Sequence, residues 1–176
     1  MDLKKEFDSI WIDIERIVMS SVIRNINSPV FYLDDVQETY DKQIEKWTRG
    51  KLREKYWYDS LNDSDSNQSA AMLDKAKSFR FQLSGKKTPS LLPYYLMSIL
   101  LSVTAFVIFV NIFKFSAIMK VLLGIVCIVI SFTIITPIGK NKQDCVRKDI
   151  ANDYREQMGN LKKELSEIMD KLTERQ

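Results

Sequence analysis

From Asp2 to about Asn25, the apolar positions Leu3, Phe7, Ile10, Ile14 and Ile17, followed by Ser21, recur at alternating spacings of four and three. Trp11, Val18 and Val22 widen that stripe, while Lys4, Lys5, Glu6, Asp8, Asp13, Glu15 and Arg16 occupy the other face. This is the period of an amphipathic helix. The run from Asn25 to Pro29 ends it. A second helix is predicted from about Leu33 to Tyr58, with Asp34 and Asp35 suited to its positive N-terminal end and Val36, Tyr40, Ile44 and Trp47 on its apolar face. Glu38 with Lys42 and Glu45 with Arg49 stand at i, i+4, each pair worth a few tenths of a kcal/mol. Gly50 loosens or kinks this helix ahead of Tyr56-Trp57-Tyr58. The two helices are expected to pair as an antiparallel hairpin over residues 1–60. A membrane-surface helix fits the first of them less well, because its polar face is acidic as well as basic. Phe7, Trp11, Ile14, Trp47, Tyr56 and Trp57 are the candidate residues for meeting a partner protein.

The pattern then changes. Leu61 to Ser69 is polar and of low complexity, reading as a linker before a helix from about Ser69 to Leu83, and Gly85-Lys86-Lys87-Thr88-Pro89 breaks the chain. Asp63, Asp65, Asn67 and Asp74 fall near the spacing of a calcium loop, but Gln68 stands where the sharp turn needs glycine, so no metal site is expected.

From Thr88 to Gly139 the 52 residues carry only two charges, Lys114 and Lys120. Leu91–Phe113 is 23 residues without a charge and Ile118–Ile138 is 21 residues with Lys120 near its start. At ~1.5 Å rise per residue these are helices of about 34 and 31 Å, against a hydrocarbon core of roughly 30 Å. The segment 91–138 is therefore predicted to be a two-span transmembrane hairpin, and no apolar leader precedes it. Lys75, Lys77, Arg80, Lys86 and Lys87 flank it on one side and Lys140, Lys142, Arg147 and Lys148 on the other. Basic residues resist translocation, so both termini are expected in the cytoplasm, with the lysine-poor connection on the far side. Lys120 reaches the far interface along its alkyl stem.

Beyond Gly139, Ile150, Tyr154, Met158, Leu161, Leu165, Ile168 and Leu172 recur at spacings of four and three over about three heptads, the lower limit for a coiled coil. This C-terminal helix, residues 139–176, either pairs with the N-terminal hairpin of its own chain or self-associates; the sequence leaves both open. The expected fold is thus an all-α membrane protein: a cytoplasmic helical hairpin (1–60), a polar linker with juxtamembrane helix (61–90), the transmembrane hairpin (91–138) and a cytoplasmic amphipathic helix.

Charge and candidate chemistry narrow the function. The formal net charge of +3 hides a balance, 15 basic against 15 acidic groups in residues 1–87 and nine against eight in 140–176. Neither part carries the basic stripe that nucleic acid requires. The flanking basic residues face anionic headgroups instead, each worth roughly 1 kcal/mol. Histidine is absent, which removes the commonest general base and most catalytic zinc sites, and the five glycines are scattered singly, with no phosphate loop. No catalytic residue, cofactor or metal is expected, and no enzyme. Cys127 and Cys145, 18 residues apart along a helical path, cannot bridge within the chain. Neither span holds an acidic residue or arginine, so no proton relay is visible. What remains are small residues: Ser98, Ser102 and Ala105 on one face of the first span, and Gly124, Cys127 and Ser131 on one face of the second. These are candidates for span packing, the favoured reading, or for lining a pore. Thr104 and Asn111 share the opposite face of the first span and are candidates for hydrogen bonding between subunits, and Thr133, Thr136 and Pro137 for a kink or gate.

This layout, together with Lys75-Ala76-Lys77-Ser78-Phe79-Arg80 and Tyr154-Arg155, resembles the SLATT-type two-span effectors of bacterial conflict systems over about residues 69–175. The resemblance implies a non-enzymatic effector of the bacterial inner membrane in antiviral defence. Such a protein oligomerises and perturbs or permeabilises the bilayer when a cytoplasmic partner releases or activates it. The residues of 1–60 lie outside the resemblance and are the portion a sensor would hold. The alternative expectation is a membrane anchor or scaffold that recruits a cytoplasmic partner through its helical soluble regions.

Overall fold

The computed structural model describes residues 3–28, 31–49, 63–113 and 115–173. Among them it is all-helical, with five helices: α1 (Leu3–Ile26), α2 (Leu33–Arg49), α3 (Asp63–Ser78), α4 (Leu92–Ile112) and α5 (Ala117–Thr173). The chain divides into two compact units, one of Met1–Gly85 with Asp149–Gln176 and the other of Lys86–Lys148, and α5 contributes to both.

The first unit is a helical bundle of α1, α2, α3 and the last part of α5. Phe7, Trp11, Ile14, Val18, Ser21 and Val22 form the buried line of α1, while Ile10 and Ile17 of the predicted stripe lie at its edge, Ile17 being 37 % exposed. Val36, Tyr40, Ile44 and Trp47 are buried on α2, as their spacing predicts. On α5, Ile150, Tyr154, Met158, Leu161, Leu165 and Met169 are buried, Met169 taking the place predicted for Ile168. The C-terminal helix thus closes on its own chain. Three ion pairs bind its polar flanks, Lys4 Nζ to Asp170 at 2.6 Å, Lys162 Nζ to Asp8 at 2.8 Å and Lys75 Nζ to Glu164 at 2.8 Å. Each is solvent-exposed to some degree and so is worth about 0–1 kcal/mol, an aid to register more than to stability.

Two boundaries differ from the sequence reading. Helix α3 begins at Asp63, inside the polar run read as linker, and ends at Ser78 instead of near Leu83. Residues 79–84 are extended and are held by glutamine side chains. Gln37 donates from Nε2 to the Phe79 carbonyl (3.1 Å) and accepts from the Phe81 N–H (2.9 Å). Gln157 does the same for a single residue, accepting from the Gln82 N–H at 2.8 Å and donating to its carbonyl at 3.1 Å. These contacts supply the backbone partners a helix would have given. Gln37→Ala would leave the part-buried Phe81 N–H without its partner, while the Phe79 carbonyl keeps Arg80 Nη1 at 2.7 Å, and a loss of about 1–3 kcal/mol is expected in thermal unfolding of the full chain in detergent. The segment also inserts Phe81, 5 % exposed, into an edge-to-face group with Tyr40 and Phe79 at ring separations of 5.0–5.6 Å.

The second unit is a helical hairpin. Gly139 sits against the ring of Tyr94, Phe132 against Tyr95 and Gly124 against Phe106, so α4 and α5 run antiparallel and the chain enters and leaves at the same end. Both helices are long and apolar enough to cross a membrane, and only 11 % of the most apolar stretch of each is buried. A core helix of a soluble protein is mostly covered. Here Leu100, Ile112, Ile118 and Val121 are between 65 % and 75 % exposed.

Candidate functional site

The hairpin buries little besides small polar side chains. In α4 these are Ser98, fully buried, and Ser102, 5 % exposed; in α5 they are Cys127 and Ser131, 7 % and 3 % exposed. Ala105 and Gly124 are half-buried. Four of the six nominated span residues thus form the covered seam and the other two border it. Small side chains allow two helices to approach closely where lipid gives no hydrophobic drive to associate. Ser98 settles its hydroxyl locally, donating to the Tyr94 carbonyl at 2.9 Å.

Two parts of the seam had little signal in the sequence. Gly139 leaves room for Tyr94: a Cβ built there would lie 2.6 Å from the ring's Cγ. Tyr95 and Phe132 stack at 6.3 Å. The signal available for Gly139 was a glycine two residues past Pro137, in a helix that continues unbroken through both. Because proline has no N–H, the Thr133 carbonyl lacks its usual partner four residues on. The Thr133 hydroxyl donates to Ile130, and the Thr136 Oγ1 is buried without a hydrogen-bond partner among the described residues.

The face of α4 away from the seam carries Thr104 and Asn111, both exposed. Seven residues apart, they lie on the same side of the helix. Each side chain turns back to its own backbone, Thr104 Oγ1 to the Leu100 carbonyl and Asn111 Nδ2 to the Val107 carbonyl, both at 2.8 Å. That leaves the Asn111 carbonyl oxygen directed outward with acceptor capacity to spare.

Four of the candidate partner-binding residues are buried in the bundle. Phe7, Trp11, Ile14 and Trp47 are 2 %, 1 %, 4 % and 7 % exposed, and the Phe7 ring packs 5.8 Å from Trp11 and 5.9 Å from Trp47. They belong to the bundle's own core. Tyr56 and Trp57 lie outside the described residues.

Tyr40, donating to the Ala76 carbonyl at 2.7 Å, is held well above the ordinary phenol range by burial, and burial raises Tyr154 as well. Both stay neutral at any physiological pH. Glu38 is held below the usual carboxylate range by the hydrogen bond and charge of Lys42. A shallow surface concavity of about 700 Å³ is lined by the acids Asp34, Glu38, Asp41 and Glu45 and by the bases Lys42, Arg49, Lys77 and Arg80. Its charges cancel, so it selects neither anion nor cation. Among the described residues no three ligating side chains converge on a point. Set against family models, curated proteins and solved structures, the chain matches none.

Proposed function

We propose that this chain is a non-enzymatic effector of the bacterial inner membrane. Its apolar hairpin spans the bilayer with both termini in the cytoplasm, and copies assemble through their spans to perturb or permeabilise the membrane. A cytoplasmic partner holds or releases the bundle. The observation that carries this reading is the placement of polarity in the hairpin: the seam is filled by small side chains, while Thr104 and Asn111 stand on the outer face. Polar side chains turned towards lipid are stabilised by meeting a neighbouring helix, by about 0.6–2 kcal/mol each. One hairpin with a filled seam offers no path of its own, so any path has to be bounded by several copies. The likeness to SLATT-type effectors agrees with this reading.

Replacing Thr104 and Asn111 together by leucine leaves the seam intact and removes the outward polarity. Self-association in nanodiscs or vesicles, read by energy transfer between labelled copies, is expected to weaken by about tenfold. Collapse of membrane potential on overproduction is expected to disappear with it. Unchanged association and unchanged depolarisation would reject the reading.

The second reading is a membrane anchor that recruits a cytoplasmic partner. With Phe7, Trp11, Ile14 and Trp47 buried, its docking surface would be the outer side of α1, where Ile12 and Ile23 are 60 % and 50 % exposed and, eleven residues apart, share a face. Partner capture lost on Ile12→Asp, from a protein that never depolarises the membrane, would favour it.

A further inference from the structure

The hairpin carries a groove of about 440 Å³ between α4 and α5, lined in part by Gly124. Its walls are Ile99, Val103 and Phe106 of α4 and Val121, Ile125 and Ile128 of α5. Gly124 contributes no side chain to the floor, the nearest atoms to a Cβ placed there being the Phe106 ring at 3.6 Å. Of the residues lining it, Ser102 and Lys120 alone are polar, and Ser102 is buried in the seam. Among the described residues Lys120 is therefore the one charge lining the groove, and it stands at its outer end, one turn into α5. From Lys120 to Phe132, the deepest lining residue, is about 18 Å at ~1.5 Å rise per residue, close to the depth of one leaflet of a roughly 30 Å core.

We propose that this groove holds one acyl chain of an anionic phospholipid from the leaflet away from the termini, with the headgroup phosphate on the Lys120 ammonium. The inference rests on the hairpin spanning a bilayer. Charge decides between lipid and a second copy as the occupant. From Thr88 to Gly139 the chain has no acidic residue, so another hairpin seated here would bring only lysine towards Lys120. A phosphate headgroup brings the opposite charge, and its chain replaces the side chain that Gly124 lacks. Apolar walls and one cation at the mouth match an amphiphile of that length and sign.

The full chain is reconstituted in nanodiscs of phosphatidylcholine with one-fifth phosphatidylglycerol, extracted gently, and its retained lipids are weighed by native mass spectrometry. Phosphatidylglycerol is expected to be enriched over its bulk share in the wild type, and Lys120→Gln to reduce that enrichment by about fivefold. Gly124→Phe, which fills the groove without touching the charge, is expected to abolish retention of either lipid. Ile125→Trp, at an outward position, narrows the same groove should the phenylalanine variant fail to fold. Equal retention of both lipids by wild type and Lys120→Gln would overturn the proposal while leaving the spans in place. So would a dimer that Gly124→Phe dissociates, since the groove would then belong to a second copy. A protein that carbonate strips from membranes would remove the spans and the groove together.

Discussion

Trp11→Ala is expected to cost the bundle about 3–5 kcal/mol, the usual range for emptying a large aromatic site in a core. Trp11 is 1 % exposed and among the largest fully buried side chains of the chain. Its ring touches Phe7, which in turn packs on Trp47, so the cavity would open at the junction of α1 and α2. A total stability of 5–15 kcal/mol is ordinary for a domain, so the loss would leave a sizeable unfolded fraction. The comparison that isolates the cause is Trp11→Phe. Indole Nε1 is buried with no hydrogen-bond partner among the described residues, so phenylalanine removes volume but also relieves an unpaired donor, whose burial costs about 1–3 kcal/mol. Its net effect is expected to stay within about 1.5 kcal/mol of wild type. Thermal unfolding and limited proteolysis of the full chain in detergent read both variants. Were Trp11 a docking residue, as its amphipathic position first suggested, the alanine variant would lose partner capture at unchanged stability. A fall in stability ahead of any partner effect is the expected order.

That contrast marks where sequence periodicity informs and where it stops. The spacing of Phe7, Trp11, Ile14 and Trp47 identifies apolar helix faces but does not say what covers them. The same ambiguity held for Tyr154, Met158 and Leu165, whose repeat suits an intermolecular coiled coil as well as the intramolecular contact seen here. Only chain-long packing joins the two stripes into one core. The two long apolar helices were legible for a simpler reason, since an uninterrupted apolar run of that length reads directly as a helix able to cross a membrane. Their small residues were legible too, though as a face without a partner. The start of α3 at Asp63 was hidden by composition. Serine, asparagine and aspartate weaken a helix in isolation, so a run of them reads as a linker. The extended run 79–84 was the least legible of all. It is fixed by the amides of Gln37 and Gln157, each far off in sequence, and a single glutamine in a polar position carries no period to read. In the hairpin, what escaped was steric: Gly139 reads as the end of an apolar run, whereas its role is the space it gives to Tyr94.

Gly139→Val turns that space into a measurable effect. The Cβ it introduces would fall 2.6 Å from Cγ, 2.8 Å from Cδ2 and 3.1 Å from Cβ of Tyr94. Two of those atoms lie near the base of the side chain, so rotating the ring cannot clear the clash and α4 itself has to move. Overpacking of this kind typically costs about 1–3 kcal/mol, more than the few tenths that valine gains over glycine in helix propensity. The remedy follows from the geometry. Tyr94→Ala removes the obstructing ring, so the double variant is expected to be more stable than the sum of the single effects by about 1–3 kcal/mol, the signature of direct coupling in a double-mutant cycle. Gly124 is the internal control. A Cβ there meets the Phe106 ring at 3.6 Å, ordinary van der Waals distance, so Gly124→Ala is expected to be neutral or slightly stabilising through helix propensity. Thermal inactivation in detergent, followed by loss of the monodisperse peak, measures all four proteins. Additive effects of Gly139→Val and Tyr94→Ala would show that the two residues do not meet, and the antiparallel register of the hairpin would have to be redrawn. A strong positive coupling beside a neutral Gly124→Ala would fix that register at its lower end by energetics alone, with Tyr94 as the side chain that reads it.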